Sequence, residues 1–160
     1  MTPVNPRVLD SLNYGIAAEI KSYVFYIEAA KLTKDQKHRE ILLRLAADEK
    51  EHYHILERQH HSLIKSEQWI SYTDILKQKG LPEINEDMAE IHRELLDKVR
   101  RAPGEREILT IALGLEEDAN RLFSRAAAEA KNPEEKNTYE FLANFERGHV
   151  KIIQGMIESL

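Results

Sequence analysis

The stretch DEKEHYHIL, residues 48–56, sets Glu49 three residues before His52, and FERGHVKII, residues 145–153, does the same with Glu146 and His149. Residues i and i+3 share one face of a helix. That face also carries Leu42, Leu45 and Leu56 around the first pair, and Leu142, Ile153 and Met156 around the second. A carboxylate and an imidazole on a stripe built to be buried need a compensating charge. No Lys or Arg lies on the same stripes near these positions to supply it.

The two pairs belong to an internal repeat. At an offset of 97 residues, Glu19 falls on Glu116, Glu49 on Glu146 and His52 on His149. Leu12 falls on Leu109, Ala29 and Ala30 on Ala126 and Ala127, Leu45 and Ala46 on Leu142 and Ala143, and Tyr26 on Phe123. In each half, 30 residues separate the lone Glu from the Glu of the E-x-x-H. Within the motif EKEH has become ERGH, so the interior changed while the ends did not. A duplicated helical hairpin is the reading.

The elements that must hold these residues follow from apolar periodicity. A first helix starts at Asn5-Pro6 and runs to about Lys34, with Leu12, Ile16, Tyr23, Tyr26 and Ala30 on its inward stripe. A second runs from an Asp35 cap to about Ser66. A third runs from after APGE to about Lys131, and a fourth opens at Asn132-Pro133 and reaches the C-terminus. Asn or Asp as cap, with Pro in the first turn, is the chemistry of a helix start. Residues 67–103 form a connector in which Ile84, Met88, Ile91, Leu95 and Val99 predict one extra amphipathic helix. The expected fold is all-α, a four-helix bundle with a long connector between helices 2 and 3, in one domain over residues 1–160 with the repeat at 7–66 and 104–158. A connector of that length lets helices 2 and 3 run parallel.

Folding each hairpin at residues 33–36 or 131–134 brings level the groups on either side, so Glu19, Glu49, His52, Glu116, Glu146 and His149 converge at mid-bundle. Four ionised carboxylates in a core are untenable alone, and two divalent cations cancel them. Carboxylate with imidazole suits iron or manganese, with zinc as an adventitious occupant. The chain has no Cys, which excludes disulfides, thiolate catalysis and Cys-ligated metal. Net charge is −5 with both signs interspersed, which argues against a nucleic-acid partner. MTPVNPRVLD has no apolar run of the signal-peptide kind, and no segment nears the roughly 18 apolar residues of a spanning helix. The expectation is a cytoplasmic protein with no membrane partner.

The stretches AAEIKSYVFYIEAAK, LLRLAADEKEHYHILE, ALGLEEDANRLFSRAAAEAKNPEEK and FLANFERGHVKII resemble the ferritin-like superfamily, in particular the diiron domain of rubrerythrins. That resemblance implies a centre of two Fe ions bound by Glu19, Glu49, His52, Glu116, Glu146 and His149, bridged by Glu49 and Glu146. It also implies Tyr26 as a hydrogen-bond donor to the ligands. Rubrerythrins carry a further Glu three residues after the third-helix ligand, where this chain has Ala119, and a Cys₄ domain for which this sequence has no cysteines. The remaining ligand set is similar to the symmetric centres of bacterioferritins.

The implied function is a diiron oxidoreductase of peroxidase or ferroxidase type, reacting with oxygen or peroxide and reduced by an external electron donor. Alternatives are ferritin-like iron binding, oxidation and storage, a metal-dependent hydroxylase of an organic substrate, and a bundle stapled by its metals. His38, His54, His60, His61 and His92 are expected at the surface, with Tyr23, Tyr53 and Trp69 in packing. Glu117 is expected to be exposed beside Glu116, since its repeat partner is Ile20. Homodimerisation would cover the connector helix and Trp69.

Overall fold

The computed structural model describes residues 5–78, 84 and 86–160. It is all-helical, with no strand among the described residues. Four long helices, α1 (Pro6–Leu32), α2 (Gln36–Ser66), α6 (Glu105–Glu129) and α7 (Pro133–Glu158), form two pairs, and three short ones, α3 (Tyr72–Leu76), α4 (Glu86–Glu90) and α5 (Arg93–Arg100), lie between α2 and α6.

The starts follow the caps read from the sequence. The Asn5 carboxamide accepts from the Arg7 amide at 2.9 Å, Asp35 from the His38 amide at 2.9 Å, and Asn132 from the Glu134 amide at 2.8 Å. Each satisfies a backbone donor that the first turn leaves unpaired. The ends come two residues earlier than expected, at Leu32 and Glu129 rather than Lys34 and Lys131. Thr33 and Ala130 are already extended, because the chain must leave each helix before the next cap can form. The Thr33 turn is tied down: its hydroxyl donates to the Ala29 carbonyl at 2.7 Å, and the Arg39 guanidinium donates twice to the Thr33 carbonyl. Both the helix ends and the following helix starts obey the 97-residue offset.

α1 packs on α2, and α6 on α7, along their whole lengths; the hairpins meet chiefly through α1 and α6. Tyr26 touches Glu116 while Gly15 lies against Phe123, so α1 and α6 are antiparallel. Asp48 touches His149 while His52 lies against Phe145, so α2 and α7 are antiparallel too. With α1 also antiparallel to α2, helices α2 and α6 run parallel. At Gly15 the three helices crowd: a Cβ there would sit 3.0 Å from both Leu56 Cδ1 and Phe123 Cε1. Only a residue without a side chain permits this approach.

The hydrophobic core divides about the level of the Glu and His residues. One cluster holds Phe25, Tyr26, Leu42, Leu45, Leu109, Ile153 and Met156; the other holds Leu12, Ile55, Leu56, Phe123, Tyr139 and Leu142.

The connector departs from the single helix expected. It breaks at Ile91–His92, and Ile91 is 81% exposed rather than on the buried stripe. The break has a packing cause. Ile84, Met88 and Leu96 cover Ile20, Val24 and Tyr53, whereas Leu95 and Val99 belong to the core beyond. A straight helix cannot present one stripe to both. At its start, the connector is held by Gln59, whose amide bonds both the N–H and the carbonyl of Ile70. Trp69 Nε1 donates to Thr138 Oγ1 at 3.0 Å, and Tyr72 stacks on Phe141 at 4.4 Å.

Candidate metal centre

Each long helix delivers its donors inward: Glu19 from α1, Glu49 and His52 from α2, Glu116 from α6, Glu146 and His149 from α7. All six side chains are sealed from solvent; the most exposed, His149, shows 1%. Their donor atoms form two groups, Glu19–Glu49–His52–Glu146 and Glu49–Glu116–Glu146–His149, each with its atoms within 4.8 Å of one another. Glu49 and Glu146 belong to both, which is the place of a ligand shared by two ions.

Both imidazoles turn Nδ1 toward the carboxylates. His52 Nδ1 lies 3.0 Å from Glu146 Oε1, 3.8 Å from Glu19 Oε2 and 4.0 Å from Glu49 Oε2. His149 Nδ1 lies 2.8 Å from Glu49 Oε1, 3.2 Å from Glu116 Oε1 and 3.3 Å from Glu146 Oε2. The Glu49 contact is close in distance but off the direction of a hydrogen bond, so both Glu49 oxygens stay unpaired. His52 Nδ1 and His149 Nδ1 instead pair with Glu146 Oε1 and Glu116 Oε1.

Burial and like charge perturb every group that titrates here. Burial, then the charges of Glu49 and Glu146, push Glu19 well above the usual carboxylate range. Burial, then Glu49, does the same to Glu116. Glu146 goes the other way: burial opposes its charge, but its contacts with Glu116, His149 and His52 outweigh burial and hold it well below that range. Burial lowers His149, yet its contacts with Asp48, Glu116, Glu146 and Glu49 prevail and raise it; His52 is raised in the same manner, Glu146 contributing most. Among the described residues no Lys or Arg pairs with any of the four carboxylates. Six carboxylate oxygens have no hydrogen-bond partner at all, both of Glu19 and of Glu49, Glu116 Oε2 and Glu146 Oε2; nor has His52 Nε2, which faces away from the carboxylates. Groups buried so dry and so acidic fit divalent cations of the iron or manganese type.

Tyr26 lies where the sequence set it, its hydroxyl donating to Glu116 Oε1 at 2.5 Å. Burial, then the charge of Glu116, raises its own pKa, so the phenol keeps the proton it donates. Glu117 faces solvent. Ala119 is buried at 4% and, with Lys21, Ser22, Leu115 and Asp118, lines a small crevice between α1 and α6 that none of the six residues reaches.

Of the histidines expected at the surface, His61 is exposed, His38, His60 and His92 are half-buried, and one expectation fails. His54 is buried at 4%, not at the surface, and both its ring nitrogens lack partners; burial lowers its pKa and keeps it neutral. Two positions from His52 is another face of α2, but that face is covered as well. His38 is half-buried against Glu105, joining the start of α2 to the start of α6.

Asp48 was not singled out by sequence reasoning. Its Oδ2 lies 3.1 Å from His149 Nε2. Position 48 lies off the repeated stripe, and its repeat partner is Phe145, so neither periodicity nor duplication marks it.

No family model matches the chain, and no curated protein does. A solved structure of a hypothetical protein from Pyrococcus furiosus is similar over 94% of this chain and 88% of its own, with a TM-score of 0.69 and 21% identity. At that identity the likeness speaks to the fold alone. No helix among the described residues is long and apolar enough to cross a membrane.

Proposed function

We propose that the two hairpins form a ferritin-like four-helix bundle and that the chain is a dimetal-carboxylate oxidoreductase reacting with oxygen or peroxide. The observation that carries this reading is the sealed set of four carboxylates and two imidazoles, with six carboxylate oxygens unpaired and no cationic side chain among their partners. Glu19, Glu49, His52 and Glu146 would hold one ion; Glu49, Glu116, Glu146 and His149 the other. A pair of iron ions supplies reversible one-electron chemistry at each ion when bound.

The chain's own residues do the rest. Glu49 and Glu146 reach both positions and would contribute a carboxylate to each ion. Tyr26 holds Glu116 by its hydroxyl, fixing the carboxylate's orientation and keeping a proton near the site. The flanking clusters of Leu, Phe and Ala exclude bulk water, which strengthens every charge interaction inside. Electrons would come from an external donor.

The test is anaerobic loading with Fe(II) followed by oxygen or hydrogen peroxide, read as the rate of iron oxidation. Wild type should oxidise its iron faster than a variant carrying both His52→Ala and His149→Ala. Equal rates would overturn the proposal.

A further inference from the structure

The repeat places Asp48 and Phe145 in the same slot, each immediately before the Glu of its E-x-x-H. Across the pair, the residue before one motif touches the His of the other, and Phe145 also packs at 5.3 Å on the His149 ring of its own helix. Asp48 on α2 meets Nε2 of His149 on α7 at 3.1 Å. Phe145 on α7 meets the His52 ring on α2, edge to face, with centroids 4.6 Å apart. Phe141 closes on the same ring from 6.1 Å. His52 Nε2 is consequently buried without a partner.

We propose that this slot makes the two metal positions unequal: the one served by His149 binds first and holds its ion more tightly, and the one served by His52 is the exchangeable position. The inference rests on the reading of the six residues as a dimetal site.

The physical argument concerns the ring nitrogen that faces away from the carboxylates. For Nδ1 to ligate, Nε2 must carry the proton. On His149 that N–H has a carboxylate to donate to, which fixes the tautomer, locks the ring and makes Nδ1 a better donor. On His52 the same N–H is left buried against aromatic edges, so ligation through Nδ1 there strands a polar group. Six matched ligands would suggest twin sites; the unmatched slot separates them. Asp48 is thus a positioning residue, acting through His149.

Titration of the metal-free full chain with Co(II), followed by visible absorption, tests this without any turnover. Wild type should fill in two resolved steps. Asp48→Asn should weaken the tighter step roughly 10–100-fold while leaving the weaker step in place. Phe145→Asp, which gives His52 Nε2 the carboxylate it lacks, should tighten the weaker step and bring the two closer. Both side chains are only half-buried, so each variant should fold, and helical circular dichroism checks that. Equal loss at both steps in Asp48→Asn would show a merely structural role and overturn the inference, as would two indistinguishable steps in wild type. Failure of wild type to take up any Co(II) would instead sink the dimetal reading, and the inference with it.

Discussion

At the residue scale, the site is a set of charges that the metal-free protein tolerates poorly. Glu19 carries a raised pKa because burial, and then Glu49 and Glu146, disfavour its charged form. The sign follows. Its contribution to stability is complete at low pH, where it is protonated in both states, and is lost as pH rises toward its folded-state value. Glu19→Gln removes that loss. With chelator present, the variant and wild type should be similar near about pH 4. Above that the variant should gain about 1.4 kcal/mol per pH unit until Glu19 ionises in the folded protein. Urea denaturation across pH reads this directly, and parallel profiles would contradict it. With metal present the order should reverse, since Gln is a poor ligand. That Glu19, Glu49, His52, Glu116, Glu146 and His149 meet was legible in the sequence because duplication repeats them and spacing sets their face; the hydrogen bond of Tyr26 was implied by the family resemblance alone. Asp48 and His54 were not legible, because a contact across two helices leaves no mark in the period of either.

At the element scale, three of the four long helices announce their starts through Asn5, Asp35 and Asn132 as caps; α6 has no such cap and begins at Glu105, inside the APGE stretch after which it was expected. The connector was not readable, because its apolar residues serve two separate clusters and no single helical period fits both. Gln59 supports that irregular path by satisfying both backbone groups of Ile70 from inside α2. Gln59→Ala leaves the Ile70 N–H and carbonyl without that partner and should cost about 1–3 kcal/mol. Hydrogen exchange should speed up at residues 67–76 before it does in α1, and an unchanged pattern there would count against this role. Gly15→Ala tests the crowding where α1, α2 and α6 meet. Overpacking costs about 1–3 kcal/mol, against a helix gain of about 0.5–1 kcal/mol for replacing Gly by Ala. A net loss in thermal stability is expected, because Leu56 and Phe123 are both fully buried and have little room to yield.

At the scale of the whole molecule, two hairpins share few contacts apart from α1 with α6, and the acidic layer lies between them. Cations bound there would join the halves, so metal should stabilise the global fold by mass action. An ion at 100 times its Kd contributes about 2.7 kcal/mol per site. The melting temperature should rise with added Mn(II) and fall again with chelator, while both Glu49→Ala and Glu146→Ala should abolish the shift, since each removes a donor common to both positions. The measurement that bears most directly on the central claim is metal stoichiometry joined to location: protein purified without chelator, supplied with iron or manganese, analysed for metal and then by anomalous diffraction at the edge of the metal found. Two ions per chain, both among Glu19, Glu49, His52, Glu116, Glu146 and His149, is the expected result. A chain that holds none, or holds its ions elsewhere, would contradict it.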